Sequence, residues 1–372
     1  MKIHLKHKIL TVLSLAILSG SSSFAGNEDR AGSAGSTDLL INPWARSSGF
    51  GGANSAFGRG LEASFMNVAG MAFTKKTEAL FAHTRWLMGS DIGINSFGFS
   101  QKFKGKNAPE GTGNVLGISV NVLGSGAIEE TRVNQPEGTG VTYSVSNFNI
   151  GLHYARSFSS KIHGGVTVRI INQTIANVSA SGFAIDAGII YRTTIGKESN
   201  PLRKDNFHIG IAIKNVGPRM SANGDGLAIQ NTSEIHGAVQ TQQQRSVDYE
   251  LPALMNIGLG FKQRINMQHA FDFGFNFTSN SFTADQFTFG VEYNFLEVLM
   301  IRGAYTFEKG TFGSRDGVTP DLLNAFTGPS CGLSFESGFK KDGKVRIGVD
   351  YAFRATHSFA GVHTFGARLL FN

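Results

Sequence analysis

The sequence predicts an all-β protein, an antiparallel transmembrane β-barrel of about fourteen strands with an N-terminal plug. The first observation is residues 269–278, HAFDFGFNFT, where phenylalanine occupies every second position between 271 and 277. Successive strand side chains point to opposite faces, so this segment has one aromatic face and one polar or small face. The second observation is that this alternation recurs from about residue 77 to the end of the chain. Strands of roughly 10 residues, apolar towards lipid and polar towards a lumen, are typical of a transmembrane barrel.

The N-terminus has the pattern of a secretory signal peptide. Lys2, Lys6 and Lys8 precede an apolar run at 9–18, and small residues follow as far as Ala25. This order of basic, apolar and small-residue regions predicts a leader at 1–25, removed on export. The apolar run is too short for a spanning helix of about 20 residues. The mature chain is therefore expected to start near Gly26.

Composition narrows the functional classes. The chain has 31 Phe and 47 Gly with only 8 Pro, and its mean hydropathy of −0.06 would suggest a soluble protein. An alternating pattern averages to this value, because each lipid-facing residue is followed by a polar one. The pI near 9.4 comes from scattered basic residues, with no run longer than a pair such as Lys75-Lys76, which argues against nucleic-acid binding.

Residues 26–76 precede the first predicted strand. Residues 26–38 are small and polar, and residues 39–73 are rich in Gly, Ala, Ser and Asn without a sustained period of two. We expect this region to be a flexible segment followed by a plug in the barrel mouth. The glycines at 49–52 do not form a phosphate-binding loop, because no strand precedes them and the full fingerprint is absent.

Residues 77–372 form the predicted barrel. The odd-numbered connections, which include the long stretches 124–143, 215–252 and 308–329, should face the outside, since outer loops are longer than periplasmic turns. The longest, 215–252, suits a surface that contacts other proteins, or it is disordered. The predicted strands are 77–86, 92–103, 114–123, 144–154, 162–175, 181–191, 207–214, 254–264, 269–278, 286–295, 298–307, 330–339, 344–353 and 362–371.

Charged residues within these strands fall on the inward phase. They are Asp186, Asp272, Glu292, Arg302 and Asp350, each between apolar or small neighbours. A charge on the lipid face costs roughly 2–4 kcal/mol at the midplane, so these residues are expected to face the lumen. With a turn near residue 297, Glu292 and Arg302 should face each other. Such residues either hold the barrel and plug together or form a substrate-binding site.

No catalytic motif occurs, so we predict a non-enzyme with no catalytic residues, no cofactor and no metal. His236, His357 and His363 could in principle gather at the outer mouth as metal ligands, but isolated histidines there are more often solvated or interfacial. The lone Cys331 has no neighbouring base in any motif, which favours a buried or wall-facing small residue over a nucleophile.

Several N-terminal motifs resemble one family. They are AGSAG at 31–35, LLI at 39–41, ARSSGFGG at 45–52 and NVAGM at 67–71, before a first strand that ends at Trp86. Together they resemble the PorV/PorQ family of Bacteroidetes outer-membrane proteins, which are similar in fold to FadL fatty-acid transporters. The family usually has Asn-Pro-Ala-Gly where this chain has NVAG at 67–70. The chain also ends on a strand closing at Phe371, which resembles the signal read by bacterial barrel-insertion machinery.

The resemblance implies a non-enzymatic component of type IX secretion in the bacterial outer membrane, with membrane lipids around it. Its partners would be the translocon barrel, the C-terminal signal domain of cargo and a surface attachment complex. Two other functions stay open. A FadL-like transporter of hydrophobic small molecules predicts an apolar pocket beside the plug and a kinked strand. A structural or adhesive barrel predicts surface partners without a translocon.

Overall fold

The computed structural model describes residues 26–103, 112–196, 200–232, 239–313, 322–338, 344–357 and 359–371. The leader predicted at 1–25 lies outside these ranges, as does His236. Fourteen long strands dominate the chain. They are β1 Thr77–Trp86, β2 Ile92–Phe103, β3 Gly113–Gly124, β4 Val145–Ser157, β5 Ile162–Ile175, β6 Val178–Thr193, β7 Phe207–Val216, β8 Leu254–Arg264, β9 His269–Asn280, β10 Gln286–Phe295, β11 Leu299–Glu308, β12 Gly328–Gly338, β13 Val345–Arg354 and β14 Val362–Phe371.

The strands form a closed antiparallel barrel. Each pairs with the next along the chain, and β14 returns to pair with β1, so that Thr77 is opposite Phe371 and Arg85 is opposite His363. The predicted count of fourteen is confirmed. The predicted bounds of β1, β2, β5, β8, β10 and β14 are those observed, and the other strands differ by a few residues at their ends.

The barrel wall shows the predicted alternation. In β9, Phe273 is 42% exposed on the outer face whereas the adjacent Asp272 is 8% exposed on the inner face. Large apolar side chains are exposed on the outer face of strands all around the barrel, including Phe97, Leu152, Ile189 and Val349. A band of this kind is what a lipid-facing wall requires. None of the helices in the described ranges combines the length and the apolar character that crossing a bilayer would need.

The residues before β1 form short helical pieces. Two 3-10 helices, Glu28–Arg30 and Thr37–Leu40, come first. They are followed by two α-helices, α1 Ala45–Gly49 and α2 Ala63–Met66, and by a third 3-10 helix, Val68–Phe73. In the last of these, Asn67 caps the first turn by accepting a 3.1 Å hydrogen bond from the backbone N–H of Ala69. Such a side-chain acceptor satisfies a backbone donor that the helix itself leaves open.

These helical pieces lie inside the barrel. Trp44, Leu61 and Met71 form a buried cluster with the inward residues Leu80 of β1 and Val115 of β3. Inward glycines of the wall give the segment room: a methyl group at Gly210 would lie 2.7 Å from the carbonyl oxygen of Ser55. Close backbone approach of this kind is a main reason for glycine inside a strand. That residues 26–76 act as a plug stays a prediction.

The two ends of the barrel differ in their connections. At one end, here called the long-loop end, lie the segments 125–144, 217–253 and 309–327. At the other, the short-turn end, lie tight connections such as 158–161, 265–268 and 296–298. Two hairpins project from the long-loop end, one pairing Ile128–Glu129 with Thr142–Tyr143 and the other pairing Ala228–Thr232 with Val239–Gln243. The three long connections thus share one end as predicted, although the connection 194–206 at the other end is longer than the tight turns around it.

Candidate functional site

Two large cavities lie in the described part of the lumen, on either side of the N-terminal segment. The larger, about 410 Å³, opens towards the long-loop end and is called here the loop-end vestibule. The smaller, about 260 Å³, lies at the short-turn end. Pockets for small ligands typically span roughly 300–1,000 Å³, which makes the vestibule the better candidate site. Its lining includes Leu40, Phe65, Met66, Trp86, Lys214, Leu254, Asn256, Asn276, Thr278, Gln286, Thr288, Thr306, Phe326 and Arg354.

Amides and hydroxyls from β8 to β11 line one side of the vestibule. Asn256 Oδ1 accepts hydrogen bonds from Thr278 Oγ1 at 2.8 Å and from Asn276 Nδ2 at 3.2 Å. Thr288 and Thr306 hydroxyls pair across β10 and β11 at 3.1 Å. All five positions are on the inward phase of their strands, where alternation places polar side chains. Most of these groups already have hydrogen-bond partners within the protein, so this side is a polar surface whose hydrogen bonds are largely formed.

Another side of the vestibule is aromatic. Trp86, at the end of β1, meets the ring of Phe326 edge-on, with the ring centroids 5.2 Å apart. The Arg354 guanidinium carbon lies 4.0 Å from the centroid of the Phe326 ring. Phe326 belongs to the connection between β11 and β12, so one loop side chain joins the ends of β1 and β13. The vestibule therefore combines apolar contact area with a small number of polar groups, as ligand sites do.

The wall beside the vestibule is irregular where β6 meets β7. The register shifts between Ile185 and Ala187, and Asn215 adopts a φ of 57°, unusual for a residue with a side chain. The carboxylate of Asp186 accepts the backbone N–H of Asn215 at 2.7 Å and a 2.7 Å hydrogen bond from Arg169. Bulges of this kind bend a strand and end its regular pairing.

Lys214 lies at this bulge and lines the vestibule. Its side chain is buried, with Nζ 3.5 Å from the centroid of the Phe65 ring. A cation held over an aromatic face gains an electrostatic attraction that grows as water is excluded. Thus the bulge, the buried Asp186–Arg169 pair and a buried lysine meet at one edge of the vestibule.

The charged residues predicted to face inward all do so. Glu292 and Arg302 are directly opposite in β10 and β11, with a 2.7 Å ion pair, as predicted. Asp350 pairs with Arg368 at 2.6 Å and Asp272 with Lys262 at 3.2 Å. Asp272 and Glu292 line the cavity at the short-turn end, whereas none of the five predicted residues lines the vestibule.

The N-terminal segment contributes to the same network. Arg46 of α1 lies 3.6 Å from Glu62 and 4.0 Å from Glu292, bridging the segment to β10. Burial opposes the charged form of Arg46, but the carboxylates of Glu62 and Glu292 outweigh it and raise the guanidinium pKa. Buried ions left without partners are costly, so paired charges of this kind fix the segment in one position.

The other residues singled out in the sequence lie apart from the vestibule. Cys331 is exposed on the outer face of β12, the wall-facing position expected for it. His363 pairs with the Tyr351 hydroxyl at 2.8 Å beside outward aromatic rings, and His357 is exposed in the connection 355–361. Within the described ranges, no group of three or more His, Cys, Asp or Glu side chains could hold a metal ion.

Comparison with known proteins relates the chain to a group of solved barrels. No protein-family model matches the chain, and no curated protein sequence matches it. The toluene transporter TodX of Pseudomonas putida superposes with a TM-score of 0.53 and 13% identity, covering 88% of this chain and 97% of TodX. The toluene transporter TbuX of Ralstonia pickettii gives 0.52 and 12%, covering 89% and 98%. A FadL homologue of Pseudomonas aeruginosa gives 0.50 and 12%, covering 89% and 97%.

The fold is a FadL-like barrel. This places the chain among integral membrane barrels whose solved neighbours are described as transporters rather than enzymes. At identities of 12–13% the likeness concerns the fold alone. Membership of the PorV/PorQ family, and with it type IX secretion, is not established by these matches and stays an expectation.

Proposed function

We propose that the chain is a bacterial outer-membrane protein that takes small, largely apolar molecules into the loop-end vestibule, as a FadL-like transporter would. The observation that carries the proposal is the vestibule itself, about 410 Å³ and bordered by Phe65, Met66, Trp86 and Leu254. Burial of an apolar ligand against such walls contributes roughly 25 cal/mol per Å². The long-loop end would face the cell exterior, where outer-membrane barrels carry their longer loops.

The bulge between β6 and β7 fits this function. The transporter hypothesis predicts an apolar pocket beside the N-terminal segment and a kinked strand. A pocket with one polar side lies beside the segment, and the register shift between β6 and β7 lies at its edge, next to Lys214. A place where the wall departs from regular pairing gives a bound molecule a shorter path between lumen and lipid. The vestibule is more polar than a simple hydrocarbon site, because amides and hydroxyls of β8 to β11 line one side of it.

Filling the vestibule tests the proposal. Leu254 and Leu259 lie on the same strand, β8, but Leu254 lines the vestibule and Leu259 is exposed on the outer face. We expect Leu254→Trp to abolish saturable uptake of radiolabelled toluene into proteoliposomes, because the indole occupies the ligand volume. Leu259→Trp should leave uptake unchanged. Equal uptake by both variants and by protein-free vesicles would refute the transporter function.

A second function, in type IX secretion, is favoured by the surface of the long-loop end. The strands Ala228–Thr232 and Val239–Gln243 pair as a hairpin, and every residue of both strands is exposed. Both faces of the hairpin are therefore open to solvent. An isolated two-stranded hairpin is only marginally stable in water, so a protein partner would stabilise it. Val133, Val141 and Val247 are also exposed in these loops. We propose that this surface binds the translocon barrel or the C-terminal signal domain of cargo and passes cargo to the attachment complex.

Affinity purification from native membranes tests this second function. The chain, tagged in a long loop, is extracted in mild detergent and its companions are identified by mass spectrometry. Recovery of the translocon barrel or of secreted cargo, lost when a Gly-Ser turn replaces residues 228–243, supports the secretion role. Recovery of other surface proteins alone favours an adhesive barrel. Purification of the chain without any associated protein would contradict both the secretion function and the adhesive function.

A further inference from the structure

Arg354 differs from three buried arginines of the lumen in its surroundings. Arg169, Arg302 and Arg368 each lie within 2.7 Å of a carboxylate oxygen. Arg354 is half-buried at the end of β13 and lines the loop-end vestibule, yet no carboxylate of the described residues pairs with it. A guanidinium removed from bulk water without a counter-ion is unfavourable, so an anion in the vestibule would stabilise it.

The N–H donors of Arg354 have no acceptor among the described residues. Its guanidinium carbon lies 4.0 Å from the centroid of the Phe326 ring. This contact attracts the cation but supplies no oxygen acceptor to its fork of N–H groups, which stays available to a ligand. The geometry matches a carboxylate, which accepts two parallel hydrogen bonds from such a fork.

Two further buried polar groups of the lumen lack partners among the described residues. Gln286 lines the vestibule, and its amide nitrogen Nε2 is buried without an acceptor. Ser330, the cross-strand neighbour of Arg354 on β12, has a buried hydroxyl without a partner. Buried polar groups are nearly always satisfied, so these two groups have hydrogen-bonding capacity left for an oxygen-rich ligand or for water.

We propose that the vestibule holds a binding site for small aromatic carboxylates, centred on Arg354. The carboxylate pairs with the guanidinium fork, while the ring of the ligand contacts Trp86 and Phe326. This inference rests on the proposed uptake function and specifies its substrate class. It differs from a purely hydrocarbon site, in which a charged side chain with free donors would have no use.

Fluorescence tests the proposal, because the chain has only two tryptophans. Trp44 is buried in the N-terminal segment, so a Trp44→Phe background reports on Trp86 alone. Benzoate is the anionic probe and benzyl alcohol its neutral counterpart of similar size. In the Trp44→Phe protein we expect saturable quenching of Trp86 by benzoate, with an affinity at least about tenfold higher than for benzyl alcohol, as one charge-assisted hydrogen-bond pair provides.

Variants of Arg354 separate charge from packing. We expect Arg354→Gln to weaken benzoate binding by about tenfold or more and to leave benzyl alcohol binding unchanged. Arg354→Lys should retain part of the preference, since it keeps the charge and loses the fork. Arg245→Gln, an exposed change in the 217–253 loop, is the matched control and should bind benzoate like the parent.

Each outcome decides the proposal. Equal affinity for benzoate and benzyl alcohol in the parent protein overturns it, whatever the variants do, and this comparison needs no substitution at Arg354. Toluene uptake with no benzoate preference would leave the transporter function intact while removing the anion site. If neither toluene uptake nor quenching by benzoate were observed, both the transporter function and the anion site would be contradicted. Thermal unfolding of Arg354→Gln, if lowered without loss of the benzoate preference, would assign Arg354 to holding the Phe326 loop.

Discussion

Asp38 is the residue whose charge state should be visible in the stability of the protein. It lies in the N-terminal segment, and its Oδ1 accepts hydrogen bonds from Gln173 at 2.9 Å and from Asn147 at 3.1 Å. Burial raises the pKa of the Asp38 carboxyl above its usual 3.8, against the opposing effect of these hydrogen bonds. An acid with a raised pKa in the folded state contributes stability that is full below the unfolded pKa and is lost as the pH rises through the folded value.

We therefore predict that Asp38→Asn raises the unfolding temperature at pH 7. An asparagine oxygen can accept the same two hydrogen bonds without placing a charge in a buried site. The difference between variant and parent should vanish below about pH 3.8, where the carboxyl is protonated in both states. Thermal unfolding in detergent across this pH range measures it. Asp248→Asn, an exposed change, is the control, and a pH-independent difference would contradict the prediction.

Single residues also show how far the sequence could predict the site. The alternation of apolar and polar residues, together with a turn near residue 297, was sufficient to place Glu292 opposite Arg302. Strand phase and hairpin register depend on residues close together in the sequence. The group formed by Trp86, Phe326 and Arg354 could not be predicted in this way. Its members come from β1, β13 and a connection, and they meet only because the barrel closes and the loop folds over its rim.

At the scale of elements, the strands were predictable and the bulge was not. A two-residue period marks each strand wherever one face meets lipid and the other the lumen. The shift between β6 and β7 instead depends on Asp186 accepting the backbone N–H of Asn215, a contact between residues 29 positions apart. The local sequence around Asn215 does not predict its contact with Asp186. Tertiary contacts decided where the wall, over the described residues, leaves its regular pairing.

The fit between the N-terminal segment and the wall gives a prediction about β7. We expect Gly210→Val to displace the segment, because a Cβ there would lie 2.7 Å from the Ser55 carbonyl oxygen and 2.8 Å from the Ala56 Cα. Backbone atoms cannot move aside as side-chain ends can, and overpacking typically costs 1–3 kcal/mol. Limited trypsin digestion should then cleave at Arg46, which is half-buried inside the lumen of the intact fold.

Gly303→Val provides the matched control for this prediction. Gly303 lies on the outer phase of β11, and a Cβ there would meet nothing closer than 3.9 Å. The same substitution should therefore leave both the unfolding temperature and the trypsin pattern unchanged. If Gly210→Val also behaved like the parent, the inward glycines would not be what accommodates the segment.

At the scale of the whole molecule, the lumen is filled in two ways. Trp44, Leu61 and Met71 make an apolar cluster with β1 and β3, and Arg46 with Glu62 joins the ion pairs that run through β10. Apolar burial supplies attraction without direction, while buried ion pairs allow few arrangements of their partners. A segment held by both should close the lumen to ions between the vestibule and the short-turn cavity.

Closure of the lumen leads to a prediction about conductance. Deleting residues 39–73 removes α1, α2 and the 3-10 helix Val68–Phe73 but leaves all fourteen strands, whose pairing closes the wall without them. In planar lipid bilayers we expect the full protein to show little ion current and the deletion variant to form a large, steady pore. Circular dichroism and heat-dependent migration in gels would establish that the variant keeps its barrel.

Gly210→Val should give an intermediate, flickering conductance, since its segment is displaced but still tethered. If the full protein conducted as well as the folded deletion variant, the segment would not be a plug, and passage through the centre of the barrel would replace passage by way of the bulge.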